Sequence, residues 1–209
     1  MPKLHDPHDN RASTAATIAS EIAWGTLGEG APLVLPHGTP FSSQVRRRIA
    51  PWLARYRRVF FYDLLSYGQS AKPDADMSLG MQNRLLPAML RAWQLDWTEV
   101  VAHDFSGTIA LRAHFLDGIS YAALTLIDPV AIAPQGSPFA VHVGRHEAAF
   151  IGLPAYAHRA LISAYIQNAA ARPLTEEALF VDRGRGVGRR WCVMRTCGNR
   201  AKAEAFRER

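Results

Sequence analysis

The sequence predicts an α/β fold built on a mostly parallel sheet with helices on both faces. Short apolar runs of strand length alternate with segments whose apolar residues recur at three- and four-residue intervals. The strand-like runs are short and mostly apolar, as strands covered on both faces are. Polar, glycine-bearing turns follow several of these runs, and sheets of this kind place their ligand sites at the C-terminal ends of the strands.

Taken in order, Ile18 to Trp24 reads as a first strand and leads through Gly25 and Gly28 to a second at Leu33 to Leu35. The turn Pro36-His37-Gly38-Thr39-Pro40 ends it. Ser42 or Ser43 can cap a helix whose Val45, Ile49, Trp52 and Leu53 are spaced to pack one apolar face inward. Val59 to Tyr62 is a buried strand closed by Asp63. After the loop Leu64 to Pro73, Met77, Met81, Leu85, Met89, Leu90 and Trp93 mark a helix. Glu99 to Ala102 is a core strand, Ile109, Ala110, Ala113 and Leu116 a further helix, and Tyr121 to Ile127 a strand closed by Asp128-Pro129.

Residues 132–180 are helical in pattern, broken by Pro134, Pro138, Pro154 and Pro173, and read as a lid inserted after the 18–131 core. A polar segment, 1–17, precedes the core, and a basic segment, 181–209, follows the lid. Residues 1–181 hold 15 Lys and Arg against 15 Asp and Glu, whereas 182–209 hold 9 against 3, so the tail carries the whole formal charge of +6. This abrupt change in composition marks the tail as unfolded or foreign to the core.

Those properties exclude several classes. Arginine runs without stacking aromatics beyond Trp191 argue against a nucleic-acid partner. No window is long and apolar enough for a membrane span, and the expected location is the cytoplasm. Cys192 and Cys197 lack a second pair at zinc-site spacing, so neither metal nor any other cofactor is expected.

A nucleophile elbow is a sharp strand-to-helix turn that needs small residues two before and two after the nucleophile. Ala102-His103-Asp104-Phe105-Ser106-Gly107 meets that demand if Asp104 is the nucleophile. With Ser106 as the nucleophile, Asp104 and Thr108 would crowd the bend, so a serine esterase built on Ser106 is the weaker alternative. His37 and His103 read as hydrogen-bonding residues of their turns.

His37-Gly38-Thr39-Pro40, Tyr67-Gly68-Gln69-Ser70 and His103-Asp104-Phe105-Ser106-Gly107, in this order, resemble the epoxide hydrolases and haloalkane dehalogenases of the α/β-hydrolase superfamily. The resemblance implies an α/β-hydrolase fold with a helical lid over residues 18–180. It also implies attack by Asp104 on a small apolar epoxide or alkyl halide, an alkyl-ester intermediate, and hydrolysis of that ester. Phe105 and Thr39 take the places that stabilise an anion. Dehalogenases usually carry tryptophan and asparagine there, and neither Phe105 nor Thr39 has a side-chain N–H. Tyr156 and Tyr165 correspond to lid acids of epoxide hydrolases, with aromatic packing as the competing role. Asp128 corresponds to an acid that orients the base, with a turn before Pro129 as the competing role.

The family's base is a histidine after the last strand, but no histidine follows His158 here. His142, His146 and His158 fall in the lid. The sequence therefore predicts a fold incomplete at its C-terminus and an impaired enzyme or non-catalytic remnant. A reading frame lost near Phe180 would account for the tail. Oligomeric state is not legible.

Overall fold

A computed structural model describes residues 21–73, 78–132 and 136–169. Five strands form one sheet in the order β1-β3-β2-β4-β5. They are β1 (Trp24–Leu27), β2 (Pro32–Val34), β3 (Arg58–Tyr62), β4 (Glu99–His103) and β5 (Ala123–Ile127). β1 runs antiparallel to β3, and the remaining pairs are parallel. The mostly parallel sheet predicted from the apolar runs is the one observed.

The first strand departs from expectation. It begins at Trp24, where the predicted strand ends, and Ile18 lies outside the described residues. Gly25 has no side chain to break the pairing, and the Phe61 ring across the ladder fills the space beside it. Glycine therefore sits inside the strand instead of ending it.

The helix expected after Ser42 also differs. A 3-10 turn, Ser43–Arg46, is capped by the Ser42 hydroxyl, and a short α1 (Ala50–Leu53) follows. Val45, Ile49 and Trp52 are exposed, and Ala50 is the buried member. The spacing suited a continuous helix of 3.6 residues per turn, but the break between the two short elements rotates those side chains away from the sheet.

On one face, α2 (Leu79–Ala92) and α3 (Phe105–Asp117) cover β2, β3 and β4. The Ser78 hydroxyl accepts the Met81 N–H and so starts α2; of the residues its periodicity marks, Leu85, Met89 and Leu90 are buried and Met81 and Trp93 half-buried, while Leu86, outside that spacing, is buried too. Met77 lies outside the described residues. Trp93, just past α2, stacks edge-on against Trp24 with ring centroids 5.5 Å apart, and lies 5.0 Å from Phe60. In α3, Ile109, Ala110 and Ala113 are buried but Leu116 is exposed. Leu33, Leu35, Ala50 and Val59 form a smaller core on the opposite face.

The expected lid region holds α4 (Pro138–Arg145), α5 (Glu147–Ile151) and α6 (Ala155–Ala169). No helix among the described residues is long and apolar enough to cross a membrane. Pro134, Pro173 and the segment containing Trp191, Cys192 and Cys197 lie outside the described residues.

Candidate active site

The site forms where β4 turns into α3. Asp104 stands between them at φ 54° and ψ −123°. This is a costly backbone conformation for a residue with a Cβ, and it persists only when its surroundings hold it. Here the Asp104 N–H donates to the Ile127 carbonyl at 3.0 Å. Its own carbonyl accepts from Gly107 N at 3.0 Å and Val130 N at 3.2 Å. Gly107 permits a close approach: a Cβ there would stand 2.6 Å from the Pro129 Cβ. The small flanking residues read from the sequence thus occur at a sharp, held turn.

Thr39 faces Asp104 across 65 residues of sequence. Its N–H donates to Asp104 Oδ2 at 2.7 Å and its hydroxyl donates to the same oxygen at 3.0 Å. Among the described residues both of these bonds on the carboxylate fall on the one oxygen, Oδ2. Phe105 is buried in the core, and as the first residue of α3 its N–H has no acceptor within the helix.

Ser106 is fully buried, and its hydroxyl donates to the His37 carbonyl. Asp128, at φ 44°, is exposed at the end of β5, the strand next to β4. Tyr156 is 79% exposed and lines an open depression of α6 with Arg159 and Ser163. Tyr165 lies against Phe139, with ring centroids 4.9 Å apart. The structure therefore brings Thr39, Asp104, Phe105 and Ser106 together, places Asp128 one strand away, and seats both tyrosines on α6.

His37 joins two loops. Its Nε2 accepts the Leu64 N–H at 2.9 Å and its Nδ1 lies 2.9 Å from the Gly38 carbonyl. That arrangement fits a neutral ring with the proton on Nδ1. Burial drives its pKa down to about 4, against smaller raising effects from the Gly38 carbonyl and Asp63. Sequence reasoning placed His37 correctly in its turn but passed over Asp63, whose carboxylate binds the Ser43 and Gln69 N–H groups. Its position closing β3 was the available signal.

The crystal structure of an α/β-hydrolase-fold protein from Burkholderia ambifaria is 68% identical, with a TM-score of 0.74, over 78% of this chain and 60% of that one. The chain belongs to the α/β-hydrolase superfamily. Within it the chain is similar to haloalkane dehalogenases and to an epoxide hydrolase. A haloalkane dehalogenase of Agrobacterium fabrum is 34% identical over 103 residues, 49% of this chain and 34% of that protein. The structure of a haloalkane dehalogenase from Agrobacterium tumefaciens aligns at 25% identity and a TM-score of 0.66, over 90% of this chain and 69% of that one. This α/β-hydrolase chain thus spans about a third of the curated relative's length.

A different family model, the CGNR zinc finger, matches residues 177–209. A closed tetrahedral zinc site takes four ligands, usually cysteine or histidine. The matched stretch contains Cys192 and Cys197 and no histidine, so its own thiols supply two of the four. Among the described residues no cluster of three or more metal-ligating side chains occurs. Within residues 177–209 the two thiols therefore fall short of the four ligands of a self-contained zinc centre.

Proposed function

We propose that Asp104 is a nucleophile that forms an alkyl ester with small apolar epoxides or alkyl halides. The observation that carries this reading is the Thr39 pair of donors on one carboxylate oxygen at a strained elbow. An Oδ1 lone pair attacks the electrophilic carbon. The C–O ester bond forms as the carbon–halogen bond breaks and halide departs, or as an epoxide C–O bond breaks and the resulting alkoxide takes a proton from water. Water then adds to the ester carbon, negative charge collects on Oδ2, and the Thr39 N–H and hydroxyl stabilise it. Collapse of that intermediate releases the alcohol and restores the carboxylate.

Serine chemistry at Ser106 fits less well, because that hydroxyl is buried and already donates to a carbonyl. The histidine expected after the lid has no counterpart beyond His158, so we propose that ester hydrolysis is the impaired step. The test is intact-mass spectrometry of folded protein incubated with a panel of epoxides and alkyl halides. An adduct on the Asp104 peptide that is absent from Asp104→Asn is expected. Turnover without an adduct would mean that a base acts efficiently. Folded protein giving neither adduct nor turnover would leave a non-catalytic remnant as the better description.

A further inference from the structure

Asp63 closes β3 and has no part in the chemistry above, yet its residue exposure is 4%. A buried carboxylate is costly unless its lone pairs are bonded. Oδ1 accepts the Ser43 N–H at 2.6 Å and Oδ2 the Gln69 N–H at 2.8 Å. Its main-chain carbonyl accepts the Ser70 hydroxyl at 2.7 Å. Gly68, at φ 48°, lets the following loop fold so closely that a Cβ there would stand 2.0 Å from Asp63 Oδ2.

The other end of this network reaches the nucleophile. Leu64, next to Asp63, donates its N–H to His37, and the His37 carbonyl accepts from Ser106. The segment from His37 to Ser43 is thus held at both ends by the consecutive residues Asp63 and Leu64. Between those ends lies Thr39, bonded to Asp104.

We propose that Asp63 is a positioning residue whose carboxylate clamps the 37–43 arm so that Thr39 presents both donors to Asp104 Oδ2. The kinetic consequence rests on the Asp104 ester reading, but the clamp itself does not. Charge-assisted bonds to main-chain N–H groups are stronger than neutral ones. An asparagine has only one acceptor oxygen and would set its NH₂ against one of the two N–H groups.

Two variants test the clamp. Asp63→Asn removes the charge. Ser43→Pro deletes one N–H at the first position of the 3-10 turn, a place where proline is tolerated, and Ser42 is already extended at φ −134° and ψ 179°, as a residue before proline should be. Amide hydrogen exchange at Thr39 is read by NMR. Cleavage of the Asp104 ester by hydroxylamine, which adds at the same carbon and needs no enzyme base, gives the kinetic readout.

In both variants Thr39 protection is expected to fall about tenfold or more while amides of β3 and β4 keep theirs. Hydroxylamine cleavage slows about tenfold, with alkylation changed no more than about threefold, because only cleavage places charge on Oδ2. Unchanged Thr39 protection in Ser43→Pro overturns the proposal, as does a uniform loss across the core in both variants. If wild-type protein forms no ester but Thr39 protection falls as described, the clamp stands and the ester reading fails.

Discussion

At Asp104 the two Thr39 bonds act unequally on the two halves of the proposed reaction. During alkylation, charge leaves the carboxylate, so donors on Oδ2 gain nothing as the transition state forms. During ester cleavage, charge returns to Oδ2 and the donors matter most. Thr39→Val is therefore expected to slow ester cleavage by about 100-fold while leaving alkylation near the wild-type rate, measured by following adduct mass over time. His37 supplies a separate prediction. Its folded pKa, about 4, lies below the ordinary 6.5, so the unfolded chain takes up a proton that the native ring refuses. Stability from this group is complete above about pH 6.5 and declines as pH falls toward 4, by at most about 3 kcal/mol. Urea unfolding at pH 7 and pH 4.5 would register the loss, and His37→Gln would flatten it. The elbow itself was legible because small residues flank Asp104. Asp63 was not, since one aspartate after a strand looks like any turn residue until the loops around it are in place.

Elements divide along similar lines. The periodicity of α2 identified its buried face because one long helix converts spacing directly into position. Ser43 to Leu53 defeated the same rule, since two short elements break the phase and turn Val45, Ile49 and Trp52 outward. The proline at the start of α1, Pro51, permits that helix but cannot reveal the turn before it. At the junction of α3 with β5, Gly107 packs against Pro129 and Thr108 donates its hydroxyl to the Val130 carbonyl. Gly107→Ala would force these segments apart. A loss of about 1–3 kcal/mol is expected from denaturant midpoints, together with slower alkylation as the elbow shifts.

For the whole molecule, strand order could not be read from the chain. Alternating strands and helices imply a parallel sheet, but the antiparallel β1 on the far side of β3 depends on pairing partners distant in sequence. The composition break near residue 181 was plain, and the match to a second family over 177–209 falls close to it. Among the described residues β5 pairs with β4 alone, and Ala123, Thr125 and Ile127 are exposed. Open strand edges invite association. Thr125→Lys is expected to lower concentration-dependent light scattering without changing the rate of alkylation at Asp104.

The Trp24 and Trp93 rings join the antiparallel edge of the sheet to the end of α2. Two indoles held edge to face at 5.5 Å couple their electronic transitions, which makes the pair a built-in optical gauge. The Trp93 Nε1 is buried with no hydrogen-bond partner among the described residues, so its emission should lie toward the blue. Loosening of α2 from β1 would thus be visible as a collapsing circular-dichroism couplet and a red-shifting fluorescence, before the backbone signal of the helices changes.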